Sequence, residues 1–170
     1  MIEIPLITFS VKDGLGQPSI NIHFQGCDKE PKCKKCHSPE LHSPPEDEYD
    51  LDKIFDKLKE MIQFYQGFTN NLSVCYMGGE PLAEYNRQTT YEISSFIRGK
   101  FKINNILYSW RTVKQIKNNQ LLEYVDFMDF GVLGEFDINK KQSATIPPSS
   151  NQCIYDFNKN QKIKPISLKQ

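Results

Sequence analysis

Three cysteines, Cys27, Cys33 and Cys36, stand within ten residues in the pattern C-x5-C-x2-C. Thiolates are soft ligands, and three of them on one short loop suit a cubane [4Fe-4S] cluster that keeps one iron without a protein ligand. An iron left open in this way is a substrate site. The same three thiolates with His37 or His42 would instead make a closed tetrahedral Cys3His zinc site, whose only work is to brace the loop. Spacing alone leaves both metals open. Crowding of three among the chain's five cysteines favours a metal site over a disulfide framework in a reducing compartment.

The second chemical signal is Gly78-Gly79-Glu80-Pro81, which follows a run with strand character at residues 71–77. In parallel α/β architectures the C-terminal strand ends are where ligands bind, and glycines there let backbone approach a ligand closely. Carbonyls at such an end, with the Glu80 carboxylate, would accept hydrogen bonds from an ammonium group. The plainer reading is an ordinary turn between strand and helix. Other residues read more readily as structure. His23 falls beside the cysteines by strand alternation but suits a satisfied core histidine, Cys75 and Cys153 suit packing thiols, and Phe24, Phe68 and Trp110 suit a core.

The elements that must position these groups alternate. Residues 2–11 read as an extended segment leading into the glycine turn at 12–16, and residues 19–24 alternate polar and apolar like a half-buried strand. The loop 26–45 that follows is rich in Cys, Lys, Pro and Ser and nearly free of aliphatic residues, so burial cannot order it and something else must. Leu51, Ile54, Phe55, Leu58, Met61, Ile62 and Tyr65 recur at helical spacing behind the acidic run Glu46, Asp47, Glu48 and Asp50, which suits a helix N-terminus. Residues 85–98 form a second helix ended by Gly99 in a left-handed cap. Strands at 103–110 and 124–130 flank a short helix at 112–118, a short strand follows at 152–157, and the polar tail 158–170 is expected to fray.

Repeated strand-helix units predict an α/β fold: a partial, open (β/α) barrel with a mostly parallel sheet of four to six strands and the cysteine loop after an early strand. So few strands cannot close an eight-stranded barrel. The cleft left open would admit a loop of a macromolecule. At 170 residues with no repeat and no linker, residues 1–170 are expected to form one domain. Lys plus Arg and Asp plus Glu both number 21, and the sequence pI is near 6.8, so no global field draws the chain to nucleic acid or an anionic membrane. No apolar run is long enough to span a membrane, and Met1-Ile2-Glu3 lacks the basic start of a signal peptide, which points to the cytoplasm.

Taken in order, several motifs resemble the radical S-adenosylmethionine (SAM) proteins, and among them the activating proteins of anaerobic (class III) ribonucleotide reductases. Val11-Lys12-Asp13-Gly14-Leu15-Gly16 is similar to that family's early D-G-x-G turn, Phe24-Gln25-Gly26-Cys27 to its F-x-G-C opening, and Cys36-His37-Ser38-Pro39-Glu40-Leu41 to its C-H-N-P-E segment. Gly78-Gly79-Glu80-Pro81 matches the motif that receives the SAM amino group. Residues 124–128 with Gly131 resemble the fourth-strand segment, and Ser149-Ser150-Asn151-Gln152 the end of the R-G-S-x-N-Q motif. Each is short; their shared order is the specific part.

The resemblance implies that Cys27, Cys33 and Cys36 ligate a [4Fe-4S] cluster whose open iron chelates SAM and whose electron cleaves it to methionine and a 5′-deoxyadenosyl radical. It implies that Gly78, Gly79 and Glu80 contact the SAM amino end, that Ser109 and Arg111 reach its carboxylate or ribose, and that Asn151 is a further contact. The radical would pass to a glycine of a glycyl radical enzyme, the anaerobic ribonucleotide reductase, with reduced flavodoxin or ferredoxin supplying the electron. Two departures from the pattern stand out. Asp28-Lys29-Glu30-Pro31-Lys32 lengthens the family's C-x3-C by two residues, which a loop absorbs at modest entropic cost, and Pro147-Pro148 replaces the basic-glycine pair before Ser149. The alternatives are a radical SAM enzyme acting on a peptide or small molecule, and a zinc-stabilised binding module without catalysis.

Overall fold

A computed structural model describes residues 5–168. Residues 2–4 of the first extended segment, and with them the start of the chain, lie outside the described residues, as do residues 169–170 of the tail. β1 (Leu6–Ser10) and β2 (Ser19–Phe24) pair antiparallel across the turn at 12–17. The cysteine loop follows, with one 3-10 turn at Pro39–Leu41. α1 (Leu51–Gln66) begins at Asp50, whose side chain accepts the Lys53 N–H, and buries Ile54, Leu58 and Ile62 as their spacing requires. β3 (Ser73–Gly78), α2 (Arg87–Lys100), β4 (Asn104–Ser109), α3 (Val113–Asn118) and β5 (Phe130–Leu133) complete the alternation.

The sheet has seven strands, one more than the upper expectation. β2, β3, β4 and β5 lie side by side in parallel. β1 flanks β2 on one side, while β7 (Cys153–Asp156) and β8 (Gln161–Ile163) continue antiparallel beyond β5. The architecture is therefore mixed α/β, parallel at its centre and antiparallel at both flanks. β6 (Thr145–Ile146) and β9 (Ile166–Ser167) pair as a separate two-stranded ribbon.

Alternation along the strands divides the interior in two. Ile20, Ile22, Phe24, Val74, Tyr76 and Leu107 pack with Ile54, Leu58, Ile62, Ile93, Ile97 and Ile116 of the three helices. Tyr108, Val132 and Ile154 point the other way, against Leu15, Ile146, Ile166 and Leu168 of the early turn and the ribbon. That second face is also pinned by Asp13: its carbonyl accepts from Tyr108 Oη at 2.6 Å, and its carboxylate from Asn21 Nδ2 at 2.8 Å.

Four expectations are corrected. Gly99 does not end α2: it lies inside the helix, which runs to Lys100 and is capped by the extended Phe101. The strand expected at 124–130 begins only at Phe130, because Glu123–Val125 coil into a 3-10 turn. The tail is not frayed over its described part, since β8 pairs with β7 and β9 with β6. Phe68 is not a core residue but 76% exposed beyond the end of α1.

Candidate functional site

Each parallel strand delivers part of the site at its C-terminal end. β2 runs into Gly26 and Cys27, β3 ends at Gly78, β4 at Ser109, and β5 leads to Gly134. The base of the cysteine loop is closed by Gly26 N–H donating to the Leu41 carbonyl at 2.9 Å and Cys27 N–H to that of His42 at 3.1 Å. Lys35, at φ +53°, turns the chain between Cys33 and Cys36, and the Cys36 N–H donates to the Cys33 carbonyl at 3.2 Å. All three thiols are half-buried and unpaired.

A cavity of about 190 Å³ lies over these ends, with Cys33 and Cys36 on one wall and Met77, Gly78 and Gly79 on another. Tyr108, Trp110 and Phe136 give it aromatic sides, and Ser109 and Gln152 contribute polar ones. Burial pushes the Cys27 and Cys33 thiols up from their ordinary range. The backbone N–H groups of Lys29 and Phe136 act against this at Cys27 and Cys33 respectively, as do nearby lysines. Backbone donors aimed at sulfur are what a thiolate ligand of an iron-sulfur cluster needs. Three soft donors on one loop, two of them facing a cavity at the strand ends, fit a cluster bound at three corners. Among the described residues no three His, Cys, Asp or Glu side chains gather closely enough to hold a single metal ion, and His37 instead packs against Phe136 with ring centroids 4.6 Å apart.

The two glycines of the second motif are required for a packing reason. Gly78 has φ +102°, and a Cβ there would meet the Phe24 backbone at 2.7 Å; a Cβ on Gly79 would meet the Gly26 carbonyl oxygen at 1.8 Å. Strand β3 thus ends with its backbone laid directly on the opening of the cysteine loop, where Gly79 N–H donates to the Phe24 carbonyl at 2.8 Å and Glu80 N–H to that of Gly26 at 2.6 Å.

Glu80 is fully buried and turned away from the cavity. Its carboxylate accepts from Ser109 Oγ at 2.8 Å, from Leu82 N–H at 3.0 Å and from Trp110 N–H at 3.1 Å, and Arg111 Nη1 stands 3.1 Å away. Burial pushes its carboxyl up from the usual range, opposed by Arg111 and these donors. Arg111 is buried, and its Nη2 contacts Asp28 Oδ2.

The structure brings Cys33, Cys36, Gly78, Gly79 and Ser109 to one cavity, with Cys27 on the same loop. Glu80 and Arg111 lie behind that wall. Asn151 is exposed, and its side chain donates to the Glu135 carbonyl at 2.7 Å, tying the C-terminal motif to the loop after β5; its neighbour Gln152 is the one that lines the cavity. His23 bonds Thr8 Oγ1 through Nε2 at 3.0 Å on the β1 side, as a satisfied histidine. Trp110 walls the cavity where a core position was expected. Sequence reasoning missed Asp28, Lys29 and Glu135, whose partners lie far along the chain and leave no local signal.

The sequence matches a protein-family model described as "4Fe-4S single cluster domain" over residues 13–155, a span that takes in every element from the early turn to β7. No curated protein and no solved structure matches the chain.

Proposed function

The chain belongs to the 4Fe-4S single cluster domain family, and on that premise we propose that it is a radical SAM activating protein. Cys27, Cys33 and Cys36 hold the cluster, and the product is a glycyl radical on a partner enzyme of the anaerobic ribonucleotide reductase class. The observation that carries the reading is the shared cavity: Cys33 and Cys36 on one wall, the bare backbone of Gly78 and Gly79 on the next. When bound, such a cluster supplies a low-potential electron and an open iron for reductive cleavage of SAM.

The chain's own share is binding, orientation and exclusion of water. Backbone carbonyls beside Gly78 and Gly79 accept from an ammonium group. Glu80 acts from behind the wall, holding the ends of β3 and β4 together through Leu82, Ser109 and Trp110. At about 190 Å³ the cavity is below the roughly 300–1,000 Å³ of sites that enclose a small ligand. It takes part of SAM, and the remainder lies in an open cleft where a partner's loop completes the enclosure. The in-order strands β2 to β5, with all three helices in one core, support the partial open (β/α) barrel. Reduced flavodoxin or ferredoxin supplies the electron.

The test is co-incubation of the reconstituted, reduced chain with SAM and a candidate glycyl radical enzyme, followed by electron paramagnetic resonance. A glycine-centred radical on the partner, absent without SAM, is the expected result. Turnover of SAM on a peptide or small molecule with no partner radical would assign the chain to the other radical SAM activity.

A further inference from the structure

Asp28 follows Cys27 directly and opens the five-residue stretch that lengthens the first interval of the cysteine motif. The chemistry proposed above makes no use of it. Yet both of its carboxylate oxygens are engaged: Oδ1 accepts from Trp110 Nε1 at 3.1 Å, and Oδ2 contacts Arg111 Nη2. The Arg111 side chain is only 9% exposed, and its other terminal nitrogen, Nη1, lies 3.1 Å from the buried Glu80 Oε1 with no hydrogen-bond partner of its own. The same guanidinium lies over the Trp110 ring, 4.6 Å from the centroid. A carboxylate, a guanidinium and a second carboxylate therefore run unbroken from the residue after the first cysteine to the buried support of Gly78-Gly79.

The two lysines of the stretch also reach inward, while Glu30 and Pro31 are exposed. Lys29 is buried; its Nζ donates to the Pro31 carbonyl at 2.6 Å and pairs with Glu135 at 3.1 Å, beyond the end of β5. Lys32 Nζ reaches back to the Cys27 carbonyl at 2.7 Å. Exposed ion pairs are worth little, but Arg111 is buried, so removing Asp28 strips its Nη2 of an acceptor away from water and leaves the guanidinium to Glu80 alone.

We infer that Asp28 is a positioning residue for Cys27: through Arg111 and Glu80 it fastens the lengthened cysteine interval to the ends of β3 and β4. This rests on the reading of Cys27, Cys33 and Cys36 as cluster ligands. The stabilisation falls on the neighbouring ligand, as outer-shell contacts do at other metal sites.

The test uses the full chain with Asp28→Asn and Asp28→Ala, reconstituted anaerobically. Trp110 is the sole tryptophan, so its emission reports the brace with or without iron. Asp28→Ala should move that emission to longer wavelength and speed iron loss to a chelator by about tenfold, the lower end of what losing an outer-shell partner costs a metal site. Asp28→Asn keeps an acceptor for the indole but no charge for Arg111 and should fall between, and Asp28→Glu should restore most of the parent's retention. Asn is nearly isosteric, so it carries the comparison if the alanine variant does not fold. Iron loss from the variants within about twofold of the parent overturns the inference, whatever the emission does. Should the parent take up no iron, the cluster reading falls, and the brace is judged on the apo chain: Asp28→Ala must speed alkylation of Cys27 relative to Cys36, and an unchanged ratio overturns it.

Discussion

Gly79 and Gly26 meet backbone to backbone: the Gly26 carbonyl oxygen that accepts the Glu80 N–H at 2.6 Å would stand 1.8 Å from any Cβ placed on Gly79. The end of β3 and the opening of the cysteine loop are thus one contact surface, and only glycine permits it.

Gly79→Ala should therefore destabilise the chain by at least the 1–3 kcal/mol or so of an overpacked core, because the obstructing atom is backbone and cannot rotate aside. Gly99→Ala is the matched control. Nothing lies within 4 Å of its added methyl, and its helical position should gain up to about 1 kcal/mol. Urea unfolding of the two variants beside the parent measures both signs.

Ser109 donates to Glu80 Oε1 at 2.8 Å and accepts from the Arg111 N–H at 3.1 Å. Ser109→Ala should cost about 1–3 kcal/mol, since a buried carboxylate loses a charge-assisted donor and a buried N–H its acceptor. The cavity wall should loosen with it, seen as faster hydrogen exchange at the Trp110 and Arg111 amides.

Cys75 is fully buried in β3, and desolvation pushes its thiol far above the ordinary value of 9.0. In the native apo chain it should resist alkylation that modifies Cys27, Cys33 and Cys36, and should react only on unfolding. The linkage has a definite sign. The unfolded chain gives up this proton near pH 9.0 while the folded chain keeps it, so the contribution is intact below that pH and declines above it. Between pH 8 and 10 the parent should lose about 1.4 kcal/mol more stability than Cys75→Ala, by urea unfolding at each pH. Equal losses in the two would contradict the burial of this thiol.

The helices and central strands were legible because their periods are strong. Ser19–Phe24 alternates cleanly, and α1 repeats its apolar residues every three or four positions. What failed was decided at a distance. Gln161–Ile163 is too short and polar to read as a strand and is one because β7 offers an edge. Tyr124 to Asp129 has the composition of a strand, but 3-10 turns and Asp129 bonds to Asn105 and Arg98 bring the chain to the sheet only at Phe130.

The same division runs through the site. The cysteines and the paired glycines could be picked out from type and spacing, since each meets a local chemical need. Glu80 was read as a ligand contact because its motif faces a strand end; the structure buries it against three hydrogen-bond donors and the Arg111 guanidinium. Arg111 and Asp28 are separated by 83 positions, and neither sequence neighbourhood hints at the other.

The most direct measurement of the central claim is iron content and SAM cleavage by the anaerobically reconstituted chain and its Cys33→Ala variant under reductant. The account predicts about four irons per parent chain, visible absorbance, and release of methionine with 5′-deoxyadenosine, all but abolished in the variant. A parent chain holding one zinc and no iron, or a variant that cleaves SAM as fast as the parent, would contradict it.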